Sequence, residues 1–255
     1  MESQEIYNQV IGRYGSIVKS STGHYEQTEA KAFGYTEQEL AGIPEGANLG
    51  LSCGNPTAIA RLRVSMIDKA NVNKYCVDVS NVEFIKSPVT SIPAPGNTAD
   101  CIISNCVINV VPAGDKQLAF NKMFRLLKPG GRVAISDILA RKELTDEMKK
   151  DMALYVGCIA GASQVSEYDS FLRNAGFEDI LIVDSNHDLN VYWSAADGEP
   201  PYPKHGSYTE QESCPQDQPS LMADEASRLA YQLDITDFNE WAGSFQVYAV
   251  KPVAS

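Results

Sequence analysis

Residues 99–111 read Ala-Asp-Cys-Ile-Ile-Ser-Asn-Cys-Val-Ile-Asn-Val-Val, a nearly continuous apolar run. Such a run is typical of a strand in a parallel sheet that is covered by helices on both faces. A second buried strand is predicted over residues 132–139. The helix between them has Asp115 as its predicted cap and ends at Pro129-Gly130-Gly131. This strand–helix–strand order predicts an α/β fold.

The pattern extends in both directions along the chain. Strands alternating with helices of this size predict a parallel, doubly wound sheet. The further predicted elements are a short strand at 82–85, helices at 144–158 and 167–175, a strand at 180–183, a helix at 222–233 and a returning strand at 244–250. The N-terminal part reads as short helices at 3–20 and 37–40, a loop at 42–56 and helical sequence from 57 to 73. Residues 184–225 read as a loop-rich insert.

Composition narrows the class of protein. The chain has 255 residues, 44% of them hydrophobic, which suffices for one domain with an appendage. Its net charge of −12 argues against nucleic acid or an anionic membrane surface as a partner. No apolar run is long enough to cross a bilayer, and the first residues do not resemble a secretory signal. Six cysteines in such a chain are expected to be free thiols, and we expect a cytoplasmic location.

Three of the cysteines are candidates for a soft, three-coordinate site: Cys53, Cys106 and Cys158. They lie far apart in the sequence and no Cys-x-x-Cys pair is present, which argues against a structural zinc site. Cys106 lies near the carboxyl end of a predicted strand, where open α/β sheets bind ligands. Cys101, five residues earlier, is expected to point to the opposite face and to be part of the core.

Each of these cysteines also allows an interpretation other than ligand binding at a soft, three-coordinate site. Cys106 is also compatible with an ordinary core position. Cys53 follows a glycine-containing loop that favours thiolate but also weakly resembles a phosphate-binding loop. Cys158 is surrounded by small residues that would admit a ligand or simply allow close helix packing. Asp137 is expected to cap the next helix, with orientation of a ligand as the alternative.

Four segments resemble a known family. Residues 125–132, Arg-Leu-Leu-Lys-Pro-Gly-Gly-Arg, resemble the helix-to-strand turn of class I S-adenosylmethionine methyltransferases. Residues 34–56, 104–109 and 156–158 resemble the three cysteine contexts of the arsenite methyltransferases within that class. The resemblance covers most of residues 10–195 and returns at 241–252.

The resemblance implies methyl transfer from S-adenosylmethionine to arsenite, with arsenic detoxification as the role. It implies that Cys53, Cys106 and Cys158 bind trivalent arsenic as thiolates, which are the soft ligands that arsenic prefers. It also implies that Asn105 lines the pocket of the methyl donor. A thiol reductant such as glutathione or thioredoxin, the latter a partner protein, is expected to serve the reaction.

The chain departs from the family pattern in two places. Residues 1–52 lack the additional cysteine that family members often carry. Between Arg63 and Val64, the sequence lacks four elements that the family has at this place. They are the first strand, a glycine-rich turn, a helix and a second strand. Those elements hold the donor and would occupy roughly 30 residues or more. We therefore expect a Rossmann-like class I methyltransferase sheet that is truncated in its first βαβ unit.

The expected organisation has three parts. Residues 1–63 form N-terminal helices and the cysteine-bearing entry loop, and 64–183 form the incomplete core with an arsenical-binding helix at 144–162. Residues 184–255 form the insert, a helix and the returning strand. Two alternatives to an arsenite methyltransferase remain open. One is a non-catalytic protein that binds arsenite without the donor, and the other is a methyltransferase for another small molecule with structural cysteines.

Overall fold

The structure is a computed structural model that describes residues 4–8, 30–31, 37–38, 81–150, 160–190, 235 and 237–253. The predicted loop at 42–56, the helical sequence at 57–73 and the helix at 222–233 lie outside these residues, as does most of the insert. In the described part, no helix is long and apolar enough to span a bilayer.

In the described part of the chain, four strands form one mixed sheet in the order β1-β2-β4-β3. The strands are β1 (Ala99–Asn105), β2 (Leu127–Ala140), β3 (Glu178–Asp184) and β4 (Ala242–Val250). The main helices are α1 (Lys116–Leu126), α2 (Asp146–Lys150) and α3 (Val165–Ala175). Single 3-10 turns occur at Val89–Ser91, Ile108–Val110, Ala113–Asp115 and Phe238–Glu240.

The unit β1-α1-β2 is the parallel crossover that the sequence predicts, and β1 pairs with β2 in parallel. The returning C-terminal strand is also confirmed. However, β4 runs antiparallel to both β2 and β3, so the expectation of a parallel sheet is wrong for this strand. β4, the last strand in sequence, thus lies between β2 and β3.

Two predicted boundaries are wrong for local reasons, and one predicted strand does not form. Strand β1 ends at Asn105 instead of Val111, because Cys106 adopts a left-handed backbone with φ of 50°. Pro129-Gly130-Gly131 lies inside β2, since Gly130 at φ 78° lets the chain bulge while its N–H still bonds Lys251 O at 2.8 Å. Residues 82–85 are irregular and form no strand.

One face of the sheet carries the core. Ile102, Val133 and Ala249 lie side by side in the register of β1, β2 and β4, and they pack towards α1 and α3. Phe120 of α1 and Tyr168 of α3 meet edge to face at 5.0 Å between ring centroids. Helix packing on this face buries apolar residues of β2 and β4 and partly buries those of β1 and β3.

The opposite face carries large apolar side chains that remain exposed. Ile103, Tyr248 and Leu181 lie in one row across β1, β4 and β3, and Leu181 and Ile103 are 57% and 44% exposed. Val183 follows on the same face of β3 and is also exposed. The prediction of a sheet covered on both faces is therefore wrong for these positions.

Candidate functional site

The carboxyl ends of β1 and β2 form a buried edge with polar residues. Asn105 is the last residue of β1 and pairs with Ser136 of β2, and both side chains are buried. The chain then turns at Cys106, whose N–H bonds Ser136 O at 2.9 Å. The left-handed backbone of Cys106 turns the chain from the strand into the 3-10 turn that follows.

Cys106 is buried and joined in a disulfide bond, and its partner lies outside the described residues. The prediction of a free thiol is therefore wrong for Cys106. Cys101 is free, as predicted, but it is partly exposed in β1, so its assignment to the core is wrong. Of the two described cysteines, Cys106 is bonded to a second sulfur and Cys101 is not.

The segment after Cys106 is fixed to the neighbouring strand. Asn109 is fully buried in the 3-10 turn, and its Nδ2 donates to the carbonyl oxygen of Ile138 in β2. This side-chain bond takes the place of the strand pairing that ends at Asn105. It holds the loop after β1 close to the carboxyl end of β2.

Lys116 begins α1, and its ammonium group is buried rather than solvated. Its Nζ donates to the carbonyl oxygen of Gly161 and to Ser163 Oγ at 2.9 Å. A charged group that leaves water needs such partners, because its desolvation is otherwise strongly unfavourable. Lys116 thus joins the start of α1 to the segment just before α3.

Asp137 lies within β2 and is fully buried, so the prediction that it caps a helix is wrong. Its carboxylate accepts hydrogen bonds from Tyr168 Oη at 3.2 Å and from the N–H of Ile138 at 3.1 Å. Burial raises the pKa of Asp137 to about 7, although the positive charge of Lys116 acts in the opposite direction. Burial next to Asp137 also raises the pKa of Tyr168 well above its usual value.

A cavity of about 690 Å³ opens beside this network. It lies beyond the carboxyl end of β2, between the loop after β1 and the segment before α3. Its described lining does not contain Asn105 or Cys106, and includes Gly114, Lys116, Ala140, Glu143, Gly161 and Ser163. The other charged groups of this lining also have partners: Glu143 pairs with Lys149, and Glu167 accepts a hydrogen bond from the N–H of Gln164.

The structure describes two of the four predicted site residues. It places Asn105 and Cys106 next to each other at the sheet edge that the sequence analysis proposed. Cys53 and Cys158 lie outside the described residues, so the convergence of three thiols stays a prediction. Sequence reasoning missed the link between Lys116, Asp137 and Tyr168. The sequence signal for this link was Asp137, an acidic residue within an otherwise apolar predicted strand.

Of the residues predicted to line the donor pocket, the described part of the chain includes Asn105. In the described sheet β1 is an edge strand, so Asn105 and Cys106 have β2 on one side and no further strand on the other. The buried amide of Asn105 offers both a donor and an acceptor at this position. These residues fit one side of a donor pocket.

Comparison with known proteins gives consistent results. A methyltransferase domain family matches residues 62–176. The arsenite methyltransferase of Halobacterium salinarum is 32% identical over 210 residues, 67% of this chain and 53% of that protein. The arsenite methyltransferase of Aquipseudomonas alcaligenes is 38% identical over 96 residues, 38% of this chain and 27% of that protein.

Solved structures agree on the fold. The geranyl diphosphate C-methyltransferase of Streptomyces coelicolor has a TM-score of 0.52 at 14% identity, over 74% of this chain and 61% of that chain. The chain spans about half the length of the Halobacterium salinarum relative and about a quarter of the Aquipseudomonas alcaligenes relative. The α/β, Rossmann-like methyltransferase fold predicted from the sequence is therefore confirmed.

Proposed function

Because the chain belongs to the arsenite S-adenosylmethionine methyltransferase family, we propose that it methylates trivalent arsenic held by the thiolates of Cys53, Cys106 and Cys158. S-Adenosylmethionine supplies an electrophilic methyl group when bound. The protein holds arsenic through sulfur, so that the arsenic lone pair points away from the thiolates. Its main contribution is then to align two reactants at short distance.

The observation that carries this proposal is the disulfide bond of Cys106 at the carboxyl end of β1. It brings a second sulfur next to Cys106 at the edge where sheets of this type bind ligands. Once this bond is reduced, the buried Cys106 has a second thiol group close by. Thiolates are the soft ligands that suit trivalent arsenic.

The same disulfide supports the need for a thiol reductant. A disulfide sulfur has no thiolate to offer, so Cys106 must be reduced before it binds arsenic. Glutathione or thioredoxin would regenerate the dithiol by thiol–disulfide exchange. A reducing compartment such as the cytoplasm would favour the arsenic-binding form.

A second candidate function is arsenite binding without methyl transfer. It is favoured by the sequence at Arg63–Val64, which lacks the donor-binding strand and glycine-rich turn that the family has at this place. In this case the cysteine site would remain while the donor pocket is incomplete.

The decisive experiment incubates reduced protein with arsenite, a thiol and methyl-labelled S-adenosylmethionine. We expect labelled methylarsenical that is absent from the Cys106→Ser variant, while Cys101→Ser serves as the matched control and retains product. Calorimetry with each ligand separates the two candidates. Arsenite binding without donor binding supports the second, and binding of neither ligand contradicts both.

A further inference from the structure

Residues 106–109 form a turn, here called the Cys106 turn, that is hydrogen-bonded to the backbone of β2 at two positions. The N–H of Cys106 donates to Ser136 O at 2.9 Å, and Asn109 Nδ2 donates to the carbonyl oxygen of Ile138. A backbone carbonyl does not titrate, so both acceptors are present at any pH at which the protein is folded. The two acceptors flank a single residue of β2.

That residue is Asp137, and its carboxyl group makes a third contact with the Cys106 turn. The N–H of Ile108 hydrogen-bonds to this group and so favours the ionised carboxylate. Asp137 is fully buried on the core face of β2, in one row with the apolar Ile135 and Leu139. An apolar side chain would occupy this place without the desolvation that a carboxylate suffers. Of these three contacts, the one to Asp137 alone involves a group that gains and loses a proton.

Among the described residues, two ionisable side chains act on Asp137. Tyr168 Oη of α3 donates to its carboxylate at 3.2 Å, and the positive charge of Lys116 in α1 also favours the ionised form. The N–H of Ile138 donates at 3.1 Å, and Phe245, the register partner on β4, is apolar. Burial outweighs these favourable partners and raises the pKa of Asp137 to about 7. The carboxyl group therefore changes its protonation state near neutral pH.

Opening of the Cys106 turn changes this balance. When the turn leaves β2, water reaches Asp137 and its pKa returns towards 3.8. Loss of the bond from Ile108 acts in the opposite direction, but burial is the larger effect. The closed turn thus holds a proton that the open turn releases. By linkage, the closed turn is most stable below the pKa of the open form, and opening becomes easier as pH rises to about 7.

We propose that Asp137 is a positioning residue for Cys106, which makes the opening of the Cys106 turn depend on the protonation of a buried carboxyl group. The closed turn leaves Cys106 only 5% exposed, so arsenite and a thiol reductant reach it when the turn opens. The inference rests on the proposed function in taking Cys106 as an arsenic ligand. Asp137 acts through the backbone of the turn and not on the arsenic itself.

The first test measures opening of the turn by amide hydrogen exchange of the reduced protein, without arsenite or donor. From pH 5.5 to pH 7.5, protection of the Cys106 N–H, corrected for intrinsic exchange rates, should fall about 10-fold in the wild type. Asp137→Asn keeps the shape of the side chain but cannot ionise, so its protection should not change with pH. Asp100→Asn is the matched control and should follow the wild type, because Asp100 is exposed and pairs with Lys128.

The second test moves the pH midpoint of this change. Tyr168→Phe removes a hydrogen bond that favours the ionised carboxylate, so the midpoint should rise by about one pH unit. The rate at which iodoacetamide labels Cys106, divided by its rate in urea-unfolded protein at the same pH, should follow the same curve. This ratio corrects for the fraction of thiolate and reports access to the sulfur.

Three results would overturn the inference. Equal pH dependence in the wild type and in Asp137→Asn would show that Asp137 does not control the turn. An unchanged midpoint in Tyr168→Phe would show the same, even if Asp137→Asn does not fold. Equal opening free energies at Cys106 and at Val247, in the central strand β4, would assign Asp137 a purely structural role. Because no readout uses arsenite, failure to bind arsenite would refute the proposed function separately.

Discussion

The surroundings of Asp137 determine its protonation state. It lies in an apolar strand, has no exposure, and faces Tyr168 from α3 and the charge of Lys116 from α1. Because burial penalises the carboxylate, its pKa rises from 3.8 to about 7. The folded protein therefore holds this proton in a pH range where the unfolded chain has lost it.

This difference predicts a pH-dependent stability. The folded state binds the extra proton between the unfolded pKa and the folded pKa, so stability falls as pH rises through that window. From pH 5 to pH 8, the wild type should lose ~2–3 kcal/mol of unfolding free energy relative to Asp137→Asn. Urea unfolding of both proteins at several pH values measures this. Parallel curves for the two proteins would show that Asp137 is ionised in the folded state.

At the scale of single elements, α3 has its start and its end defined by local chemistry. Gln164 and Glu167 form a reciprocal capping box at the start. Gly176 ends the helix in a left-handed conformation with φ of 100°. A Cβ at Gly176 would lie 3.0 Å from the ring of Phe124, so both backbone and space favour glycine there.

We expect Gly176→Ala to lower the unfolding free energy by ~1–2 kcal/mol. Gly114→Ala is the matched control, since a Cβ there meets nothing within 4 Å. It should be neutral or stabilise by up to ~1 kcal/mol by restricting the unfolded chain. Chemical denaturation compares the two variants. Equal effects at both positions would refute the account of the helix end.

The sequence predicted the elements whose patterns are local. Helix α3 and strand β3 appear within two residues at each end of the predicted ranges, because apolar spacing and capping residues define them. The end of β1 was not predictable, since Cys106 is not a residue that usually adopts positive φ. The antiparallel β4 depends on strand pairing across the whole sheet, which no local pattern contains.

The candidate site also has features that the sequence predicted and features that it did not. Its location at the carboxyl end of β1 followed from the strand pattern, and Asn105 and Cys106 lie there. The disulfide of Cys106 and the bonds of Lys116 to the 160–164 segment are contacts between residues far apart in sequence. Such contacts arise from tertiary packing and no local pattern contains them; that another sulfur lies near Cys106 was implied only by the family resemblance.

For the whole molecule, the two faces of the sheet differ. Helices α1 and α3 cover one face, whereas the row of Ile103, Tyr248 and Leu181 on the other face is exposed in the described structure. A doubly wound sheet has helices on both faces. Along this row, the described sheet departs from the doubly wound pattern.

Neighbouring positions of β3 test this difference between faces. Leu181→Lys should change the unfolding free energy by no more than ~0.5 kcal/mol, because the side chain already lies in solvent. Ile182→Lys should cost more than ~2 kcal/mol, since Ile182 packs against the core. Denaturant titrations compare them. A large loss in Leu181→Lys would mean that the outer face is covered in solution.

The most direct test of the account is a calorimetric titration of the fully reduced protein with arsenite. We predict tight binding by the wild type and by Cys101→Ser, and much weaker binding when Cys53, Cys106 or Cys158 is replaced by serine. Undiminished affinity in those three variants would contradict the proposal that their sulfurs hold the arsenic atom.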